Sequence, residues 1–252
     1  MQLTNDMAGC ARDPVIRDLV LTALGPQDLV NLILQRSEVM YDQPRAGQVI
    51  RAWNAGDDGP VTRIVETLGD EIARRTAAVI LGEYRALAPL WRDTAPARVA
   101  DIGCGYAFFD LFLARDMAAD LLLIDLEANE RRHFGFRAEG AAYSSLSVAR
   151  RLLEDNGVEP GRIRTLNPRD EAAEDAGPVD LAVSFLSCGF HYPVDVYLSF
   201  LDRALTPGGA AIFDLRAATA AAQAERLATF GPLSDLHSPP KARRVMLRKV
   251  AA

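Results

Sequence analysis

The sequence is poor in the residues that staple or metallate small proteins, with three cysteines and three histidines in 252 residues. Cys10, Cys104 and Cys188 are odd in number, widely spaced and free of any CxxC. That pattern excludes a disulfide framework and a structural zinc site, and makes a reducing cytoplasm the expected setting. His133, His191 and His237 show no ligand spacing, so no metal is expected. Basic residues are outnumbered, 28 Lys+Arg against 34 Asp+Glu, for a net charge of −6. This balance disfavours the broad phosphate neutralisation on which nucleic-acid binding depends. No apolar run approaches the roughly 18–20 residues of a membrane helix. The first residues, MQLTNDMAGCARDPVIRD, carry neither a basic nor an apolar leader region, so neither export nor a membrane partner is expected. Internal repeats and low-complexity tracts are also missing. What is present is a globular composition, 49% apolar and 25% charged, in a length that suits one domain with an appendage.

The pattern changes near residue 96. Before it, apolar residues fall at helical spacing: Leu29, Val30, Ile33 and Leu34 after Gly25-Pro26, then Val61, Ile64, Leu68 and Ile72 after Gly59-Pro60, then Val79, Ile80, Tyr84 and Leu87. Residues 42–60, with two prolines and three glycines, read as a connector. Residues 1–95 are therefore expected to be a helical region. From Arg98, short apolar runs alternate with amphipathic stretches. RVADI (98–102), LLLID (121–125), RIRTL (162–166), DLAVSF (180–185) and AAIFDL (210–215) are strand candidates, with helices such as 147–156 and 196–205 between them. Strands alternating with helices predict an α/β fold with a doubly wound, mostly parallel sheet over 96–252. Such sheets bind ligands beyond the carboxyl ends of their strands.

The first strand runs into Asp101-Ile-Gly103-Cys104-Gly105-Tyr-Ala107-Phe108. Two glycines permit a tight strand-to-helix turn and close approach of backbone N–H groups to a ligand. A nicotinamide dinucleotide is disfavoured, because bulky Phe108 stands where that fingerprint needs a third small residue. Asp101 would also repel a pyrophosphate. It suits a ligand that carries positive charge or several N–H and O–H donors.

At these residues the chain resembles the class I S-adenosylmethionine-dependent methyltransferases, in their small-molecule branch. Asp101, Gly103, Gly105 and Ala107 match the acidic residue and GxGxG of that family's first motif, with alanine for the third glycine. The resemblance implies a Rossmann-like methyltransferase fold whose last strand, here 243–250, runs antiparallel beside the fifth. It also implies S-adenosylmethionine as cofactor and S-adenosylhomocysteine as product. Asp101, Gly103, Cys104 and Gly105 then line the cofactor, Asp125 grips the ribose with Glu127 as competitor, and Leu126 packs on the adenine. Asp125 as a simple turn cap is the alternative. Asn167, or else Asp170, would reach the adenine, and Ser184 and Phe185 close the cofactor set. Leu205-Thr-Pro207-Gly208-Gly209 matches the family's turn before the fifth strand and is structural.

For catalysis, His191 and Tyr192 follow the fourth strand. The imidazole suits a general base for a hydroxyl acceptor, or a group that hydrogen-bonds substrate or shapes the pocket. Ser184-Phe185-Leu186-Ser187 lacks the prolines of base-modifying amino-methyltransferases, and Asp214 is followed by Leu215-Arg216 rather than the Asn of magnesium-dependent catechol-type enzymes. The expectation is therefore an enzyme that methylates a small molecule at a hydroxyl, with a sugar-like acceptor as one option. A small-amine N-methyltransferase and a non-catalytic cofactor-binding regulator are the alternatives. Residues 127–140, with Arg131, Arg132, His133, Phe134, Phe136 and Arg137, are either a lid or a solvated insert. The helical region is expected to supply a lid, substrate contacts or a dimer contact, with Tyr41 and Trp53 either closing the pocket or packing in the core. Lys241, Arg243, Arg244, Arg248 and Lys249 read as an exposed sheet edge.

Overall fold

A computed structural model describes residues 10–92, 94–126 and 144–250. The insert 127–140, with Glu127 and His133, lies outside the described residues. Seven strands form one sheet: β1 Arg98–Ile102, β2 Asp120–Ile124, β3 Ile163–Leu166, β4 Val179–Ser184, β5 Leu205–Arg216, β6 Leu233–Asp235 and β7 Ala242–Arg248. Their order is β3-β2-β1-β4-β5-β7-β6. β3, β2, β1, β4 and β5 pair in parallel, β7 runs antiparallel to β5, and β6 pairs antiparallel to β7. The five expected strands and the antiparallel closing strand are all found. β6 was not anticipated: three residues hedged by Pro232 and Pro239 carry no period to detect.

Helices among the described residues are α1 Pro14–Arg17, α2 Pro26–Gln35, α3 Ala46–Asn54, α4 Gly59–Leu68, α5 Glu71–Leu87, α6 Phe108–Asp116, α7 Leu146–Asp155, α8 Leu198–Arg203 and α9 Ala220–Ala228. The span 42–60 is more than a connector, since it holds α3. Val49 and Trp53, one helical turn apart, are buried there, and a left-handed Arg45 (φ 60°) starts the helix behind Pro44. Trp53 is thus a core residue, while Tyr41 is exposed beneath the Arg75 guanidinium.

The central strands are apolar on both faces, as strands covered on both sides must be. Val99, Leu121, Leu123, Leu181, Val183 and Ile212 belong to a core shared with α2 and α4–α7. Ala100, Ile102, Leu122, Ala182, Ala211 and Phe213 face the other way, against α8 and α9. The N-terminal helices therefore share one continuous core with a face of the sheet. The chain reverses its winding between β1 and β4, and the crevice at their carboxyl ends is the topological switch point.

Candidate functional site

A cleft lies at that switch point. Its walls come from the glycine loop after β1, Asp125 after β2 with Ser144, the loop after β4, and the facing parts of α2 and α5. In the glycine loop, Gly103 and Gly105 take left-handed conformations (φ 79° and 58°). A Cβ on Gly103 would overlap both Oγ and Cβ of Ser187, and one on Gly105 would press on the Gln35 amide at 3.1 Å. Both glycines are therefore dictated by what crosses the loop as well as by φ. Ala107, where the motif has its third glycine, is also left-handed (φ 57°) and caps α6.

Asp101, Gly103, Cys104, Gly105 and Asp125 converge on the cleft as expected. Asp125 accepts from the Gly105 amide at 2.8 Å and from the Leu126 amide at 2.7 Å, so it braces the loop while facing the cleft. Burial pushes its carboxyl up to about 6, against the lowering effect of those two N–H groups. Asp101 is pushed well above the usual carboxylate range by burial first and then by the facing Asp110 and by Asp125. The Cys104 thiol is likewise driven up by burial and by these acids, which favours its neutral form. Leu126 stands beside Asp125 but outside the cleft wall.

On the β4 side, Phe185, Leu186, Ser187 and His191 line the cleft. Phe185 packs on Phe109 with ring centroids 4.6 Å apart and lies under the Arg244 guanidinium. Leu186 is left-handed (φ 50°), a strained conformation for a branched side chain, and its amide donates to Asp214. The His191 amide is tied to the Ser187 carbonyl at 2.8 Å, and its ring meets Phe190 edge-on. Three expected site residues point elsewhere. Ser184 is fully buried and donates to the Ile102 carbonyl while accepting from the Cys188 amide, so it straps β1 to the β4 loop. Asn167 is folded into its own turn against Asp170 and the Arg169 amide. The Tyr192 hydroxyl lies 3.4 Å from Ser187 Oγ, behind the wall, and burial raises its pKa well above the ordinary value.

Several residues of this site were not anticipated. Leu34, Gln35 and Arg36 at the end of α2, with Ile80 and Glu83 of α5, form the wall opposite β4. Tyr106 fastens α2 to the glycine loop: its hydroxyl donates to Asp28 at 2.7 Å and accepts from Asn31 at 2.9 Å. Glu83 is held between Arg36 (2.7 Å) and Arg244 (3.6 Å). Burial alone would raise its acid, but the two guanidinium groups outweigh it and hold the carboxyl below its usual range. Arg244 is not an exposed edge residue. It is 4% exposed and grips Asp214 through two bonds of 2.6 and 2.8 Å, because β5 and β7 place the two residues directly opposite one another. Lys249 also turns inward, its Nζ donating to the carbonyls of Leu201, Asp202 and Leu205, whereas Arg243 remains at the surface with Asp235.

No protein-family model matches the chain, and no curated protein matches it significantly. Solved structures do. One is a Nostoc punctiforme protein assigned as an O-methyltransferase, with 18% identity and a TM-score of 0.50 over 71% of this chain and 59% of that one. This chain thus matches less than two thirds of that protein's length. Another is the S-adenosylmethionine-dependent methyltransferase SibL in its apo form, with 18% identity and a TM-score of 0.50 over 88% of this chain and 73% of that one. At this identity the likeness defines the fold. The chain is built on the Rossmann-like fold of class I S-adenosylmethionine-dependent methyltransferases, with the strand order and antiparallel β7 described above.

Proposed function

We propose that the protein is a methyltransferase that uses S-adenosylmethionine to methylate a small molecule. The observation that carries this is the pairing of a glycine loop with two acids that line the cleft at the switch point, the buried Asp101 and the half-buried Asp125. A phosphate-bearing dinucleotide would meet two acidic side chains there and, among the described cleft residues, one guanidinium, Arg36, already engaged by Glu83. A phosphate-free ligand with an ammonium, a sulfonium and a ribose diol fits the same donor set. Asp125 would accept from the diol, Asp101 would face the ammonium, and the Gly103–Gly105 backbone would let the chain approach closely. When bound, the cofactor supplies an electrophilic methyl group to an in-line nucleophile.

The chain itself has to orient the acceptor and exclude water. Phe109, Phe185 and Leu34 give the cleft an apolar flank for that purpose. His191 is the described cleft residue best suited to take a proton from a hydroxyl acceptor. An O-methyl product is accordingly the favoured outcome, and an amine acceptor would make His191 dispensable. The test is calorimetric titration with S-adenosylmethionine, S-adenosylhomocysteine and NAD, with Asp125→Ala as control. Micromolar binding of the two sulfur compounds, lost in the variant and absent for NAD, is expected. Failure of both to bind would remove the basis of the assignment. With an acceptor in hand, His191→Ala is expected to lower kcat by about 10²–10⁴-fold.

A further inference from the structure

Two arginines are buried among the described residues, Arg75 and Arg244. Arg75 bonds Asp42, Glu71 and the Val39 carbonyl, all within the N-terminal helical region. Arg244 comes from β7 and does not line the cleft, yet three of its contacts lead there. Its Nε and Nη2 donate to the two oxygens of Asp214 at 2.6 and 2.8 Å. Its Nη2 also reaches Glu83 of the α5 wall at 3.6 Å, and its guanidinium lies 4.8 Å from the ring centroid of Phe185 on the opposite wall.

The contact with Asp214 extends further than the pair. The Asp214 oxygen that accepts from Arg244 Nη2 also accepts the Leu186 amide at 3.2 Å. Leu186 is held left-handed (φ 50°), a conformation that a branched side chain keeps only when its surroundings impose it. Ser187 comes next: its side chain crosses the glycine loop at Gly103, and its carbonyl accepts the amides of Phe190 and His191 at 3.0 and 2.8 Å. The backbone at Leu186 therefore sets the direction of the turn that presents His191. A buried ion pair is a weak source of stability, since apolar residues of similar volume often serve as well. What leucines at 214 and 244 could not do is give the Leu186 amide a fixed, charged acceptor and Glu83 a second cation.

We propose that Arg244 is a positioning residue for the His191 side of the cleft. Through Asp214 it fixes the left-handed Leu186 and so aims His191, and by direct contact it holds Phe185 and Glu83 at a set separation across the cleft. The inference rests on the reading of the cleft as a methyl-transfer site, where His191 meets the methyl acceptor.

The double variant Asp214→Leu with Arg244→Leu strands neither charge, so it tests position apart from folding. Two signals are read by NMR in the ligand-free protein: hydrogen exchange of the Leu186 amide, and the His191 ring resonances, assigned with His191→Ala. In the double variant Leu186 should exchange about tenfold or more faster, as for a lost hydrogen bond to a charged group, and the His191 resonances should move. Amides of β1 and β2 should keep their rates. Arg244→Lys keeps a cation beside Asp214 without the flat, two-bond hold, and should move both signals in the same direction. Arg243→Gln, at the surface pair with Asp235, should move neither. Unchanged signals in the double variant, or faster exchange spread equally through β1 and β2, would overturn the proposal. A faster Leu186 with unmoved His191 would overturn the aiming of His191, and an unaffected Arg244→Lys would assign the hold to Asp214 alone. Calorimetry of the parent with S-adenosylhomocysteine keeps the cofactor question separate. If the parent binds none while both signals respond as expected, the cofactor assignment fails and the hold of Arg244 on the loop stands.

Discussion

At the scale of single residues, Gly103 and Ser187 share one small volume. The serine crosses the glycine loop where a side chain on Gly103 would lie. Gly103→Ala must therefore bear both a left-handed backbone, about 1–2 kcal/mol for an L-residue, and a clash that Ser187 cannot escape by rotating, since its Cβ is involved. We expect Gly103→Ala to lose at least about 2 kcal/mol in chemical denaturation, together with cofactor binding. Ser187→Gly in the same chain removes the clash but not the backbone strain. The double variant should recover roughly the steric half of the loss, a positive coupling characteristic of residues in contact. Additive losses would show that backbone strain alone makes the glycine necessary.

At the scale of elements, two joints hold the cleft. The first is α2 on the glycine loop through Tyr106, Asp28 and Asn31. Tyr106→Phe leaves the ring in place and removes both bonds, so about 1–3 kcal/mol of stability should go. Because α2 also brings Gln35 and Arg36 to the cleft, cofactor affinity should fall with it, whereas a purely local role would leave affinity unchanged. The second joint is β5 on β7. Arg244→Leu strands the Asp214 carboxylate in the core and should cost about 3–5 kcal/mol, while Leu at both positions should cost much less. These joints also mark where the sequence stops being legible. The acid-then-glycine loop and Asp125 were readable because a strand end fixes its neighbours in space. Glu83 left a fainter sign: a charge at the i+3 position from Ile80 and i−4 from Leu87, on an otherwise apolar helix face. Arg244 hid in a run of basic residues, since its burial depends on a register with Asp214 that no local pattern encodes. Asn167 and Ser184 had the expected position along the chain, but local hydrogen bonds turn them away from the cleft.

At the scale of the whole molecule, the acids that the fold shifts set how stability varies with pH, in two opposed windows. Asp42, beside Arg75, is held down to about 2, and Asp13 and Glu83 are also lowered by their arginine partners. Such groups stabilise the folded chain once pH exceeds their unfolded values near about 4, and that stability is lost as pH falls through the folded values. Asp125, Asp110 and Asp101 act in the other direction. Burial raises Asp125 to about 6 and Asp110 to about 7, and pushes Asp101 well above the usual carboxylate range, so the folded chain binds more protons than the unfolded chain between about pH 4 and 7. Stability from these three is full below the unfolded value and declines as pH rises through that window. The ligand-free protein should therefore be most stable near about pH 4–5 and weaken toward neutrality, with Asp110→Asn and Asp125→Asn flattening the decline. Cofactor binding should run the opposite way, tightening as pH rises through about 6, because only ionised Asp125 accepts both ribose hydroxyls. Urea denaturation from pH 4 to 8, without and with S-adenosylhomocysteine, measures both trends on one protein. Ligand-free stability that rises steadily to pH 8 would mean that the cleft acids are ionised in the folded chain. The fold would then be holding negative charge at the cleft ready for a cationic ligand.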